Sequence, residues 1–245
     1  MSEMRQFHAY DCARQGVVPG REVRVRLMLA GLLMCSALAI WPAPAAHAVP
    51  ETCPPSCDII PATAWPLPAT LPLDSTYHWP VLSGVAQQVG SPRFLFEELC
   101  ATAPRFDDPR SYAVAARAVV GRPDGQWQLR AQVVHWRGET WRGGQLATSS
   151  FDAAVAALRA CQATAPQFSP SITNAEPNRL AAVISGPVIV HQYLVADPRN
   201  STISELAFST TGGGAPPVPW PLVPDTQVLD AMTAPLCAAY LGSCG

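Results

Sequence analysis

The sequence predicts an α+β fold: an antiparallel sheet with two or three packed helices, stapled by disulfides. Three observations carry that expectation. Stretches 111–120 and 126–136 alternate in polarity on either side of a turn. Stretches 151–161 and 225–240 repeat apolar residues at helical spacing. Cysteines are plentiful in a chain whose first fifty residues look like an address for export.

That address begins with Arg21, Arg24 and Arg26. Fifteen uncharged residues follow, 27–41, reading LMLAGLLMCSALAIW. Ala46-His47-Ala48 closes the segment as an A-x-A cleavage site, so cleavage falls between Ala48 and Val49. A spanning helix needs about 20 apolar residues, and this run is shorter and ends in prolines. The expected domains are a signal peptide at 1–48 with an N-terminal extension, a Pro-rich extended arm at 49–80, and one α+β domain at 81–245. A membrane would be met only through the signal segment, if it stays uncleaved.

Within the arm, proline at high density opposes regular helix or central strand. Trp65, Tyr77 and Trp79 are its packing residues. Ser91 and Pro92 then predict a helix over 93–102, since proline at the first helical position loses no hydrogen bond. In 111–120, Tyr112, Val114, Ala116, Ala118 and Val120 share one face. In 126–136, Trp127, Leu129, Ala131 and Val133 do the same. Arg122-Pro123-Asp124-Gly125 joins them as a hairpin turn.

Ser149-Ser150-Phe151-Asp152 reads as a helix start with its capping box. Phe151, Ala154, Val155, Leu158 and Cys161 then fall on one helical face. Strands are expected at 180–185, 188–195 and 201–209, with a turn at Asp197-Pro198-Arg199-Asn200. A Gly-then-Pro loop, TGGGAPPVPWPLVP, spans 211–224. Asp225 starts a last helix through Tyr240, which Pro235 should kink.

Past Ala48 the chain carries eleven Arg against fifteen Asp and Glu, a formal charge of −4. No basic stripe is present, so nucleic acid is not an expected partner. All sixteen basic residues of the full chain are Arg. Without a lysine, Schiff-base chemistry, S-x-x-K acylation and P-loop phosphate binding are excluded.

Removing 1–48 leaves six cysteines: Cys53, Cys57, Cys100, Cys161, Cys237 and Cys244. Six allow 15 pairings. Sequence proximity favours Cys53 with Cys57 and Cys237 with Cys244, which leaves Cys100 with Cys161. Cys53-Pro54-Pro55-Ser56-Cys57 is a C-x-x-x-C spacing, unlike the C-x-x-C of redox-active dithiols, and reads as a staple.

No catalytic motif stands out. His78, His135 and His191 have no metal-ligand neighbour at i+3 or i+4, so neither a metal nor a cofactor is expected. G-x-S-x-G is absent. The paired acids Glu97-Glu98 and Asp107-Asp108 sit too close in sequence to face each other across a sugar. Gly212-Gly213-Gly214 lacks the strand and helix of a phosphate cradle. Trp136, Trp141 and Trp220 are candidate exposed aromatics, and Asn200-Ser201-Thr202 matches a glycosylation pattern.

Taken in order, a hairpin with Val133-Val134-His135-Trp136, an alanine-rich helix FDAAVAALRAC ending at Cys161, and a final LDAMTAPLCAAY with Cys237 form a layout. With the Arg-only, Ala- and Pro-rich composition of a GC-rich genome, it resembles the extracellular sensor-type domain of actinobacterial PknH-family kinases. The likeness covers roughly residues 85–245. It implies an α+β domain with two disulfides and a cleft for a ligand, and no catalytic residues. The expected function is therefore that of a secreted or cell-envelope protein binding a small ligand or an envelope partner without catalysis. A secreted hydrolase with a site assembled from distant residues is the alternative.

Overall fold

A computed structural model describes residues 57–211, 215–241 and 243. All belong to the unit Val49–Gly245. The expected signal segment and its Ala48–Val49 cleavage site, Cys53, Cys244 and Gly212-Gly213-Gly214 lie outside the described residues.

Seven strands build one sheet: β1 (Gln87–Gln88), β2 (Val114–Val120), β3 (Gln128–His135), β4 (Ser169–Glu176), β5 (Arg179–Ser185), β6 (Val188–Asp197) and β7 (Thr202–Thr211). Their spatial order is β1-β2-β3-β7-β6-β5-β4, and every pairing is antiparallel. Among the described residues five α-helical segments accompany them: α1 (Asp74–Tyr77), α2 (Leu82–Val85), α3 (Leu95–Leu99), α4 (Thr140–Thr164) and α5 (Asp225–Ala239). The expected α+β sheet with a disulfide is what the chain forms.

The topology explains the length of α4. The chain leaves β3 near the middle of the sheet and must reach the outer edge, four strands away, to start β4. That lateral distance is about 19 Å at the usual strand spacing. A helix of 25 residues is about 37 Å long, enough to cross it obliquely. The meander β4-β5-β6-β7 then returns to pair with β3.

Period-two alternation does not separate core from solvent here, because both faces of the sheet are covered. On one face Leu129, Val133, Tyr193, Leu206 and Phe208 pack against Val228, Leu229, Met232 and Leu236 of α5. Trp65, Leu71, Tyr77 and Trp79 join the same cluster. On the other, Val134, Ile184, Leu194, Ile203 and Ala207 meet Ala147, Phe151, Ala154, Leu158 and Cys161 of α4, with Phe94, Phe96 and Cys100. Strand β3 is consequently buried along nearly its whole length.

Residues 57–80 are more structured than an extended arm. Short 3-10 turns at Ala62–Ala64 and Pro68–Thr70 precede α1. The Trp79 indole N–H donates to Pro72 O at 2.8 Å, and its ring stacks on Tyr77 at 5.1 Å. Prolines open these turns: Pro61 precedes the first and Pro68 is the first residue of the second.

Four local expectations are corrected. The helix expected over 93–102 is only Leu95–Leu99, and Glu97 caps it by accepting the Phe94 N–H at 2.8 Å. Tyr112 belongs to a 3-10 turn, Pro109–Tyr112, and is 78% exposed rather than on the strand's buried face. Helix α4 starts at Thr140, nine residues before the expected Ser149 cap. Gly143 and Gly144 lie in its first turns, where other chain segments come so near that a side chain has no room. A Cβ on Gly144 would lie 2.3 Å from the Pro198 carbonyl oxygen, and one on Gly143 would lie 2.4 Å from Ser201 Oγ. Finally, β4 was not expected. It is a half-exposed edge strand with Pro170 inside it, a position where a missing N–H is tolerated.

Cys100 and Cys161 form a disulfide joining the end of α3 to α4. Thr164 Oγ1 donates to Cys100 O at 2.6 Å beside it. Cys57 and Cys237 are also disulfide-bonded.

Candidate functional site

Helix α3 is too short to persist alone, since isolated helices need about 12–15 residues. The sheet holds it in place. Glu205, on β7 and fully buried, accepts the Leu95 N–H at 2.5 Å and the Gln192 amide at 3.2 Å. Arg130 makes two hydrogen bonds to Glu98, at 2.9 and 3.0 Å, and its Nε stands 3.5 Å from Glu205 Oε2. Arg117, Arg130 and Gln132 all donate to the carbonyl of Arg93. Burial pushes the Glu205 carboxyl up to about 7, against the opposing pull of Arg130, the Leu95 N–H and Arg117.

So anchored, α3 forms one side of a cleft of about 240 Å³. The loop 102–111 forms a second side, and Ser150, Ala153 and Ala157 of α4 a third. These three α4 positions follow one another at i, i+3 and i+7, so they share a face. Being small, they leave space. The Cys100–Cys161 bond ties the two sides together just before the loop begins.

In the cleft wall Arg110 binds two carboxylates at once. Its Nη1 and Nη2 donate to Glu97 at 2.8 and 2.9 Å. Nε donates to both Asp108 oxygens at 3.0 and 3.1 Å, and Nη2 to Oδ2 at 2.6 Å. Its backbone N–H also donates to Asp108 Oδ1, and its guanidinium lies 4.8 Å from the centre of the Phe94 ring. Burial opposes ionisation of both Asp108 and Arg110, but their hydrogen bonds override it. The Asp108 carboxyl is held below its ordinary value and the Arg110 guanidinium above its own.

Ser150 is different. It is 4% exposed, and its Oγ has no hydrogen-bond partner among the described residues. A buried unsatisfied hydroxyl costs about 1–3 kcal/mol. The remaining wall combines the hydroxyl residues Ser91, Thr102 and Ser111 with Pro92, Ala103, Pro104 and Phe106, the last fully exposed. Arg93 and Arg105 add two guanidinium groups to the lining.

Most sequence candidates lie elsewhere. His78 is exposed. His135 is fully buried, its Nδ1 3.0 Å from Thr202 Oγ1 and its ring stacked on Tyr240 at 4.5 Å. His191 stacks on Trp220 at 3.7 Å, and burial pulls its imidazole down to about 4. Trp136 is buried with its indole N–H on Pro109 O, whereas Trp141 is 63% exposed on α4. Asn200 is fully buried, and its amide nitrogen binds Asp197 Oδ2 at 3.0 Å, so it is no glycosylation acceptor. Among the described residues, no group of three or more His, Cys, Asp or Glu side chains could hold a metal ion. Among them too, no helix is long and apolar enough to cross a membrane.

Sequence reasoning treated Glu97-Glu98 and Asp107-Asp108 as local pairs. Folding splits both. Glu97 and Asp108 share Arg110, while Glu98 goes to Arg130 and Asp107 stays outside near Arg105 at 3.7 Å. No spacing rule announces an arginine between two acids eleven positions apart. Comparison with family models, curated proteins and solved structures returns no match for this chain.

Proposed function

We propose that residues 49–245 work outside the cytoplasm as a non-catalytic ligand-binding domain, with the cleft between α3, the loop 102–111 and α4 as its site. The observation that carries this reading is a cavity large enough for a small molecule with the Ser150 hydroxyl, which has no partner among the described residues, just behind its wall. A ligand that hydrogen-bonds that hydroxyl would remove the cost of leaving it unsatisfied.

The acids that might have served catalysis are engaged by Arg110 and Arg130. The buried His135 offers a substrate no approach. Both points favour binding over the hydrolase alternative. Export is supported by the signal-like segment and by disulfide bonding at all four cysteines among the described residues, since disulfides persist in oxidising compartments. The layout shared with PknH-family sensor domains agrees with a secreted or cell-envelope location and with an unknown small ligand or envelope protein as partner.

Native mass spectrometry of protein recovered from its own host tests the reading. The expected result is a small-molecule adduct that Ala153→Leu, which fills the cleft, removes. An adduct that survives Ala153→Leu, or none in the unaltered protein, overturns it.

A further inference from the structure

We infer that this cleft takes a small organic acid, its carboxylate toward Arg105 and Ser150 and its carbon body against the α4 wall. The inference rests on the binding role proposed above and adds the chemical class of the ligand.

Both oxygens of Glu97 accept hydrogen bonds from Arg110 or from the Phe94 N–H. Both oxygens of Asp108 accept from Arg110. The charged acceptors of the wall are therefore taken by the protein itself. What remains is donor capacity. Ser150 Oγ is buried with no partner. The Arg105 guanidinium makes a 3.7 Å ion pair to Asp107 and acts on Asp108 through space, and the side chains of the ion pair are 50% and 79% exposed. An exposed pair of that kind contributes little, about 0–1 kcal/mol, and yields readily to a ligand carboxylate. Three Arg and two acids line the cleft, and Asp107 beside Arg105 is the third acid, so a ligand carboxylate that takes the place of Asp107 meets an unmatched guanidinium.

Size and polarity set the rest of the ligand. Apolar surface dominates the wall through Ala153, Ala157, Pro104 and Phe106. A cavity of ~150 Å³ already admits benzene, and drug-sized ligands use about 300–1,000 Å³. A volume of about 240 Å³ lies between. One ring or a short chain carrying one carboxylate fits that description. An arginine meets a carboxylate through two parallel N–H groups, a geometry that a neutral amide cannot exploit as well.

Isothermal titration of the full chain, disulfides intact, with sodium benzoate and with benzamide tests the inference. Benzoate is expected to bind at least tenfold more tightly than benzamide. Arg105→Gln is expected to remove most of that preference; its exposed side chain leaves folding untouched. Ser150→Ala should weaken both probes, with near-ultraviolet circular dichroism confirming the fold. Equal binding of the two probes, or a preference that survives Arg105→Gln, overturns the acid class while leaving the cleft as a ligand site. Binding of neither probe also overturns the acid class. The binding role itself is tested separately and falls if native mass spectrometry finds no adduct that Ala153→Leu removes.

Discussion

The Glu205 carboxylate accepts the backbone N–H of Leu95 at 2.5 Å, across 110 positions of sequence. This single bond joins the buried face of the sheet to the first residue of α3, and through Glu97 to the wall of the cleft. A carboxyl so deeply placed makes stability depend on pH.

Burial raises the Glu205 carboxyl from its ordinary 4.5 to about 7. The folded chain then holds this proton more tightly than the unfolded chain. The stabilisation is complete below pH 4.5 and is lost as pH rises through 7. Glu205→Gln mimics the protonated form. Relative to the unaltered protein, it should gain on the order of 2–3 kcal/mol between pH 4.5 and 7.5 in urea denaturation. A difference between the two proteins that stays constant with pH would refute this.

His191 works in the opposite sense. Burial against Trp220 lowers its imidazole from 6.5 to about 4. Its contribution is present above pH 6.5 and is lost as pH falls through 4. His191→Phe keeps a ring on Trp220 without a charge to take up. That variant should outlast the unaltered protein in thermal melts near pH 4 and match it near pH 7.5.

Arg110 is 7% exposed and compensates two acids. Arg110→Met leaves Glu97 and Asp108 facing each other uncompensated. The expected loss is about 3–5 kcal/mol at pH 7 by chemical denaturation. Adding Glu97→Gln and Asp108→Asn to the same chain should recover much of it. A loss below ~1 kcal/mol would mean that water already screens the cluster.

Cys100→Ala with Cys161→Ala opens a loop of 61 residues. The chain-entropy model gives a loss of ~4 kcal/mol. Because the bond joins α3 to α4, hydrogen exchange at the amides of 95–108 should accelerate more than at β6 and β7. Uniform acceleration would show that the disulfide acts on the unfolded chain alone.

Gly144→Ala raises helix propensity by about 1 kcal/mol, yet puts a Cβ 2.3 Å from the Pro198 carbonyl oxygen. Backbone cannot swing aside, so a net destabilisation of about 1–3 kcal/mol is expected in thermal unfolding. Gly143→Ala would meet Ser201 Oγ at 2.4 Å and Ser201 Cβ at 2.5 Å; rotating the hydroxyl leaves the Cβ in place, so a comparable cost is expected. Stabilisation by Gly144→Ala would place α4 further from the β6–β7 turn than the structure has it.

The hairpin around Pro123-Asp124-Gly125 was legible because turn chemistry is local: Gly125 adopts φ of 80° there, which glycine tolerates. The Cys161 face of α4 was legible for the same reason, as helical spacing is a property of neighbours. The start of α4 was not. Gly143 and Gly144 weaken a helix in isolation, and only the proximity of Pro198 and Ser201 gives them a purpose. Strand β4 was missed because an edge strand exposes alternate residues and tolerates Pro170, so its apolar signal is faint.

The sequence by itself determined the class of the molecule: alternating and helical stretches, turns at set places and cysteines for stapling. Those properties depend on residues a few positions apart. The cleft was decided only by tertiary structure. It needs Glu97 and Asp108 on Arg110, Glu205 on Leu95, and Ser150 left without a partner. Each of these arises where the folded chain brings together polar groups in a space from which water is excluded. There hydrogen bonds and charges acquire energies that no pattern along the chain encodes.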